Sequence, residues 1–304
     1  MGSVRLPRFK RSDKIASFSL TDRDREILKH VHHHRFLRSD HLCALLPGSH
    51  QQLLRRLQLL YHHGFLERPR CQIDYYKTGS RRMAYGIGNK GAAVLKREPA
   101  LPFHRLEWGQ KNRVGRIFLD HALLVSDVMV AFEVACRNRH DVRLIEPDDV
   151  KFSPAATRNR EPFQWKVDIA SGIKCGVIPD RVFGLEFTDR NGRQILHWFF
   201  LEADRGTMPV TRDDLDQSSF YRKLLAYEAT WRHGLHRSLF DFDRFRVLTV
   251  TTGADRRQHM TEACSQLQQG HGLFLFADAA SLSSAENVLT MPWLSARADT
   301  ETLL

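Results

Sequence analysis

Hydrophobic and polar residues in the first hundred positions follow the spacing of three consecutive α-helices. Each predicted helix begins at a residue that can cap it and ends at a helix-breaking or turn residue. The predicted caps are Thr21, Ser39 and Ser49, and the third helix is expected to end near His63, before Gly64. A unit of three short helices is therefore predicted near the front of the chain.

The third predicted helix has an apolar side and a polar side at the 3.6-residue period. The residues assigned to the apolar side are Leu53, Leu54, Leu57, Leu60 and Tyr61. The residues assigned to the polar side are Gln51, Gln52, Arg55 and His62, with Arg56 at the flank. Because Arg can pair with guanine, Gln with adenine and either with phosphate, the polar side is a candidate major-groove surface. A solvated face that is merely basic is the alternative interpretation.

Two short apolar segments flank a polar and basic stretch after this helix. Phe65–Arg68 and Met83–Ile87 are predicted strands, joined by a turn at Gly79-Ser80. The basic residues expected near the tip of this β-hairpin are Lys77, Arg81 and Arg82. Three helices, a basic hairpin and a closing helix at Ala92–Lys96 resemble the winged-helix family, over about residues 20–97. The resemblance implies binding of double-stranded DNA.

The distribution of charge favours the same function. The chain has 46 Lys and Arg against 35 Asp and Glu, a formal net charge of +11. Residues 1–105 hold 21 of the cations and only eight of the acids, so the basic excess lies entirely in the first third. Such asymmetry is typical of a nucleic-acid-binding module joined to a near-neutral one.

Apolar strands alternate with helices in the rest of the chain. A helix at about 117–138 is followed by predicted strands at 142–145, 165–169, 177–187 and 195–203, a helix at 220–232, a strand at 246–251, a helix at 256–267 and a strand at 273–276. The segment 195–203 is strongly apolar and is expected to be a buried central strand. This order predicts an α/β or α+β domain with a mixed sheet.

Three acids lie where two of these strands begin or end. Asp180 follows a proline, and Glu202 and Asp204 end the apolar strand, two residues apart and so on one face of it. Neighbouring carboxylates repel each other and need a cation or a hydrogen-bond donor nearby. One hypothesis is a site for Mg²⁺ or Mn²⁺ at Asp180, Glu202 and Asp204, suited to polarising a phosphate and activating water. The alternative is that Arg181 or Arg205 simply pairs with these acids.

The segments IPDRVFGLEF and HWFFLEADRG are similar to the core of the PD-(D/E)xK restriction-endonuclease-like superfamily. In that superfamily the acids are an Asp after Pro and a Glu on the next strand, which Asp180 and Glu202 match. Asp204 stands where the superfamily usually has a Lys. The resemblance therefore implies that Arg205, next in the chain, or Lys223, on the following helix, supplies the positive charge of a catalytic site.

The whole layout looks closer still to the replication-relaxation family of plasmids and integrative elements, over about residues 20–260. The matching positions are Leu201, Glu202, Asp204, Arg205, Gly206 and Thr207 in an LExDRGT-like motif, Lys223 and Tyr227 on the following helix, and His121 on the first core helix. The resemblance implies a winged helix joined to a restriction-endonuclease-like domain. It implies either a DNA-binding protein that nicks an origin with a divalent metal, or a non-catalytic relaxosome accessory factor or transcriptional regulator on a degenerate nuclease fold.

The expected organisation is a flexible basic arm at 1–18, the winged helix at 19–97, a linker at 98–113, the nuclease-like domain at 114–280 and a poorly ordered tail at 281–304. The expected partners are double-stranded DNA and relaxosome or replication proteins, and a homodimer is left open. A cytoplasmic protein is expected, because no apolar run reaches the roughly 18 residues that span a bilayer and no secretory signal is recognised. Five scattered cysteines without a CxxC pair favour reduced thiols over a disulfide framework or a zinc ribbon.

Overall fold

The computed structural model describes residues 6–12, 15–73, 82–98, 114–149, 154, 163–297 and 299–304. The chain divides into two compact units, unit 1 (residues 1–130) and unit 2 (residues 131–304). Within the described residues, no helix has both the length and the apolarity that crossing a membrane requires.

The described part of unit 1 combines short helices with a three-stranded antiparallel sheet. Its elements in chain order are α1 (Asp22–His34), β1 (Phe36–Arg38), α2 (Ser39–Leu45), α3 (His50–His62), β2 (Leu66–Glu67), β3 (Ala84–Ile87) and α4 (Asn89–Leu95). The sheet order is β1-β3-β2, so β3 lies between the other two strands. The three helices expected from the hydrophobic spacing are therefore present, each within two residues of its expected start.

The start of α4 packs closely on the turn that follows α3. Gly64 adopts a φ of +86°, which favours glycine. A Cβ added to Gly91 would lie 2.3 Å from the carbonyl oxygen of Phe65. Since no side chain fits at that distance, Gly91 is what allows α4 to lie against this part of the backbone.

The basic arm differs from the flexible segment expected from its composition. Arg11 donates through Nε to the carbonyl oxygen of Tyr61 at 3.1 Å, and it forms an ion pair with Glu67. The backbone amide of Ser12 donates to Nδ1 of His62 at 3.2 Å, and His62 is only 4% exposed. The assignment of His62 to the polar side of α3 was therefore wrong, because the arm covers the end of the helix. Leu54, assigned to the apolar side, is 39% exposed.

The boundary between the units falls within helix α5 (Arg116–Arg137), whereas the expected linker at 98–113 lies, apart from its first residue, outside the described residues. In unit 1, Asp127 is hydrogen-bonded to Arg38 and, at 2.7 Å, to Nε2 of His41. The hydroxyl of Ser126 donates to the carbonyl oxygen of Phe36 at 2.7 Å. These polar contacts attach the first part of α5 to β1 and α2, and hydrophobic periodicity does not reveal them.

Unit 2 is built on a seven-stranded mixed sheet, which confirms the expected fold class. The elements after α5 are β4 (Val142–Ile145), β5 (Trp165–Ala170), β6 (Ile173–Val177), β7 (Arg181–Thr188), β8 (Gln194–Ala203), α6 (Phe220–Arg232), α7 (Leu235–Phe240), β9 (Phe245–Thr251), α8 (Ala254–Ser265), β10 (Phe274–Asp278), α9 (Ala279–Ser284), β11 (Trp293–Ser295) and β12 (Thr300–Glu301). The sheet order is β12-β11-β10-β9-β8-β7-β4. Strands β8, β9 and β10 are parallel, and the other neighbouring pairs are antiparallel.

The segment expected as one strand at 177–187 is two strands in the structure. Strand β6 ends at Val177 and pairs with β5 in a separate two-stranded hairpin, whereas β7 begins at Arg181 in the main sheet. Pro179 lies between them, and a proline cannot donate a hydrogen bond to a sheet. The hairpin packs on α6, where Nε1 of Trp165 donates to Oγ1 of Thr230 at 2.7 Å.

The C-terminal segment forms strands instead of the poorly ordered tail that its composition suggested. Strand β11 pairs with β10, and β12 pairs with β11. The side chain of Trp293 is fully buried, and its Nε1 donates to the carbonyl oxygen of Val288 at 3.2 Å. A run of buried side chains, Val288, Leu289, Met291 and Trp293, completes this edge of the core.

Replacing Trp293 with Ala should lower the free energy of unfolding by about 3–5 kcal/mol, the usual loss for a fully buried aromatic side chain. Chemical denaturation followed by circular dichroism measures the change. Arg297→Ala, on an exposed residue of the same segment, is the matched control and should stay within about 0.5 kcal/mol of the parent. A loss below about 1 kcal/mol for Trp293→Ala would mean that the segment does not belong to the core.

Candidate functional site

Asp180 and Glu202 are neighbours across the pair of strands β7 and β8. The register pairs Arg181 with Leu201, so the residue before β7 lies beside Glu202. The amide of Asp180 donates to the carbonyl oxygen of Leu201 at 3.0 Å. The amide of Ala203 donates in return to Oδ2 of Asp180 at 2.8 Å. Asp180 is thus fixed to the backbone on both sides of Glu202, through its amide at Leu201 and through its carboxylate at Ala203.

Glu202 is buried, and two side chains of α6 hold its carboxylate. Nζ of Lys223 donates to Oε2 at 2.5 Å, and the hydroxyl of Tyr227 donates to Oε1 at 2.6 Å. Lys223 and Tyr227 are four residues apart, so they lie on one face of α6. Ser219 fixes the start of that helix by accepting from the amide of Arg222 at 3.2 Å. The structure therefore brings together Asp180, Glu202 and Lys223 as expected, with Tyr227 beside them.

Burial raises the pKa of Glu202 above its ordinary value, although the charge of Lys223 acts in the opposite direction. The pKa values of the two donors are shifted as well. Burial alone would lower the pKa of Lys223, but the carboxylates of Glu202 and Asp180 outweigh it, so this pKa lies above its ordinary value. Burial and the negative charge of Glu202 together raise the pKa of Tyr227 well above its ordinary value. Lys223 is therefore a cation at neutral pH, and Tyr227 is a protonated phenol that is only 1% exposed. A buried phenol that donates to a carboxylate is a poor nucleophile.

Asp204 belongs to a different group of contacts. Arg256, in the first turn of α8, donates through Nε to Oδ2 at 2.5 Å and through Nη2 to Oδ1 at 2.9 Å. The hydroxyl of Thr251 and the amide of Gly206 also donate to Oδ2, at 2.7 and 3.0 Å. Burial alone would raise the pKa of Asp204, but the bonds from Arg256 and Thr251 outweigh it, so this pKa lies below its ordinary value. Asp204 has the surroundings of a structural carboxylate.

The three acids therefore separate into a pair and a single residue. Within the described residues, they do not form a group whose ligand oxygens all lie within 4.8 Å of one another. Carboxylate oxygens are the donors that Mg²⁺ and Mn²⁺ prefer, but both oxygens of Glu202 already accept from Lys223 and Tyr227, so an ion held by Asp180 and Glu202 would have to displace one of these donors. Asp204, with both oxygens bonded to Arg256, does not fit as a third ligand. Arg205 follows it as a half-exposed side chain.

In unit 1, some polar residues of α3 are exposed and others are bonded inside the unit. Gln51, Gln52 and Arg55 are exposed, and no described residue forms an ion pair with Arg55. Ser49 caps the helix just before them. Arg82 is also exposed, directly before β3, whereas Lys77 and Arg81 lie outside the described residues.

Arg56 points to the inside of unit 1 instead. Its Nε donates to Oδ1 of Asp24 at 2.9 Å, and its Nη2 bonds to Oδ2 of the same carboxylate. Asp24 is fully buried and also closes the capping box of α1 with Thr21. The guanidinium lies 4.5 Å from the centre of the Phe18 ring. Arg56 thus joins α3 to α1, and the structure gives it a stabilising role.

A family model described as replication-relaxation matches residues 28–240, which is more than half of the chain. The chain belongs to the replication-relaxation family. The match runs from α1 into α7 and includes α3, Asp180, Glu202, Lys223 and Tyr227. The family indicates a role in replication or relaxation. No curated protein and no solved structure matches the chain.

The family match ends before strands β9 to β12. Helix α8, in this unmatched part of the chain, contains two arginines that pair with acids of unit 2. Hydrophobic spacing and motifs do not reveal Arg256 or its neighbour Arg257, which pairs with Asp278 at 2.7 Å. One signal was available: cations are disfavoured in the first turn of a helix, where the dipole is positive, so two consecutive arginines there indicate acidic partners. His121 of the family pattern lies on α5 in unit 1 and is half-buried.

Arg256→Ala should lower the free energy of unfolding at pH 7 by about 2–3 kcal/mol, because it removes the cation from a largely buried carboxylate that keeps only Thr251 and Gly206 as donors. Folding lowers the pKa of the Asp204 carboxyl below its ordinary value of 3.8. The stabilisation that Arg256 provides is therefore fully present above pH 3.8, and it is lost as the pH falls through the lower pKa of the folded state. The difference between parent and variant should therefore shrink below pH 3.8.

Urea denaturation of both proteins at neutral and at acidic pH measures this difference. Arg190→Ala, on an exposed residue between β7 and β8, is the matched control and should change stability by no more than about 0.5 kcal/mol. A difference that stays constant down to the lowest pH would show that the Asp204 carboxylate is not the partner that matters.

Proposed function

We propose that this member of the replication-relaxation family binds duplex DNA through a winged helix in unit 1. We further propose that it acts in replication or mobilisation of a plasmid or integrative element, at its origin. The chain order of α1, β1, α2, α3, β2 and β3 supports the first part, as does the β1-β3-β2 sheet, because a winged helix has this arrangement of three helices and a hairpin. In such modules the third helix reads the major groove.

The observation that carries the proposal is the exposed side of α3. Gln51, Gln52 and Arg55 are exposed in the first half of a helix that Ser49 caps. Arg55 has no acidic partner in the described part of the chain, whereas Arg56 is bonded to Asp24. An unpaired guanidinium beside two amides is the set of groups that pairs with guanine and adenine edges.

Charge supports DNA as the partner. Residues 1–105 have a net charge of about +13 by composition, with 21 Lys and Arg against eight Asp and Glu. A polyanion gains affinity from such a segment by releasing its counterions. Arg82, exposed at the start of β3, is expected to contact the backbone together with Lys77 and Arg81 of the hairpin.

Arg55→Ala should weaken binding to a cognate duplex by about 1–3 kcal/mol, the value of one base-reading contact, without changing stability. Fluorescence anisotropy with a duplex selected from a random library measures the affinity, and affinity should fall steeply with salt. Arg97→Ala is the matched control, an exposed arginine after α4, and should bind like the parent. Arg56→Ala should act mainly on stability, since it unpairs the buried Asp24. Unchanged affinity in Arg55→Ala would remove α3 from the interface.

Strand nicking by unit 2 is a second candidate function, favoured by the position of Lys223. The superfamily's lysine is absent from β8, but Lys223 reaches Glu202 from α6 at 2.5 Å. Asp180 and Glu202 would hold Mg²⁺ or Mn²⁺, which polarises a phosphate and activates water when bound. Lys223 would place positive charge at the same carboxylate, and Tyr227 would fix the orientation of Glu202. Arg205 is the other cation available near the end of β8.

A non-catalytic role is the alternative, and the state of Asp204 favours it. Asp204 is bonded to Arg256, and both oxygens of Glu202 are bonded within unit 2. In this role the core would serve as a stable platform that does not cut DNA. The protein would then be a relaxosome accessory factor or a transcriptional regulator. Relaxosome or replication proteins, or a second copy of the chain, would be its protein partners.

A supercoiled plasmid that carries the element's own origin distinguishes the two roles. If unit 2 nicks DNA, parent protein with Mg²⁺ or Mn²⁺ should produce open circles, and Glu202→Ala and Lys223→Ala should not. Tyr227→Phe should still nick, because the phenol positions Glu202 and is not the nucleophile. Loss of nicking in Tyr227→Phe, with Glu202→Ala still active, would reverse these roles. Inert parent protein that still binds the plasmid would establish the non-catalytic role.

A further inference from the structure

The exposed side of α3 contains one apolar residue. Leu54 is 39% exposed, whereas Leu53, Leu57 and Leu60 of the same helix are at most 1% exposed. A single exposed leucine is ordinary on a protein surface. Its position is what matters here, because it lies in the first half of α3, within the proposed reading surface.

Leu54 shares one stripe of the helix with three polar residues. Gln51, Leu54, Arg55 and Gln58 occupy positions i, i+3, i+4 and i+7, which lie on the same face. Gln51, Leu54 and Arg55 are exposed, and Gln58 is half-exposed. A surface that meets the major groove along this stripe therefore places an aliphatic side chain between a group suited to adenine and a group suited to guanine.

The major groove offers one apolar group, the 5-methyl of thymine. We infer that Leu54 contacts a thymine methyl group, so that the bound DNA site contains a thymine next to a base read by Gln51 or Arg55. This inference rests on the proposed DNA binding and adds the type of base that the helix selects.

The composition of the helix favours DNA over a protein partner for this stripe. Helix α3, HQQLLRRLQLLYH, contains no Asp or Glu, and it belongs to the strongly basic first third of the chain. A polyanionic partner is therefore electrostatically preferred. The lack of an acid also removes the usual acceptor for the amino group of cytosine, so reading should depend on adenine, guanine and thymine edges.

The test replaces each thymine of the selected duplex, one at a time, with deoxyuridine, which lacks only the methyl group. Parent protein should lose about fourfold in affinity at one thymine, the effect of burying a single methyl group. Leu54→Ala should bind the thymine and uracil duplexes equally at that position, and Leu54→Met should keep the preference. Ile195→Ala is the control, because Ile195 is 40% exposed on β8, and it should keep the full preference.

The outcomes separate this inference from the proposed function. A parent protein that is insensitive at every thymine, or a Leu54→Ala variant with the same thymine preference as the parent, would overturn the role of Leu54. In either case a weakened Arg55→Ala variant would leave DNA binding by α3 standing. If the library yields no bound duplex, the proposed DNA binding itself fails, and if Arg55→Ala binds normally, α3 is removed from the interface.

Discussion

A buried carboxylate must be paired or hydrogen-bonded, and this constraint organises the charged side chains in both units. Asp24 forms an ion pair with Arg56, and Asp204 forms one with Arg256. Glu202 forms an ion pair with Lys223 and accepts a hydrogen bond from Tyr227. Leaving any of these acids unpaired would cost several kcal/mol, roughly a third of the stability of a typical domain. A cation in such a pair stabilises the fold and is not available to bind a ligand. What remains exposed, such as Arg55, is then available to a ligand.

The same constraint limits what can be concluded from sequence motifs. Glu202 and Asp204 are two residues apart at the end of one strand, so spacing alone suggests one shared site. The structure instead directs them to different helices, Glu202 to α6 and Asp204 to α8. Asp204 thereby anchors α8, the helix between β9 and β10, instead of joining Glu202.

Local features of the fold could be predicted from the sequence, and features that depend on distant contacts could not. Helices α1, α2 and α3 begin near their expected caps because capping and breaker residues act within a few positions. The burial of His62 depends on the arm some fifty residues earlier, through Ser12 and Arg11. The strands β11 and β12 were missed because pairing with β10, not composition, orders them. At the candidate site, Asp180, Glu202 and Lys223 lie close together, whereas the partner of Arg256 is revealed only by the tertiary structure, because its position in the first turn of α8 indicates an acid without saying which one.

We propose that Arg56 is unavailable to DNA because it pairs with Asp24, whereas Arg55 is available. Arginine-selective chemical modification, read by mass spectrometry, tests this proposal directly. In the protein alone, phenylglyoxal should modify Arg55 and Arg97 and spare Arg56. A saturating cognate duplex should protect Arg55 and leave Arg97 reactive. Modification of Arg56 as readily as Arg55 in the absence of DNA, or of Arg55 undiminished in its presence, would contradict the account.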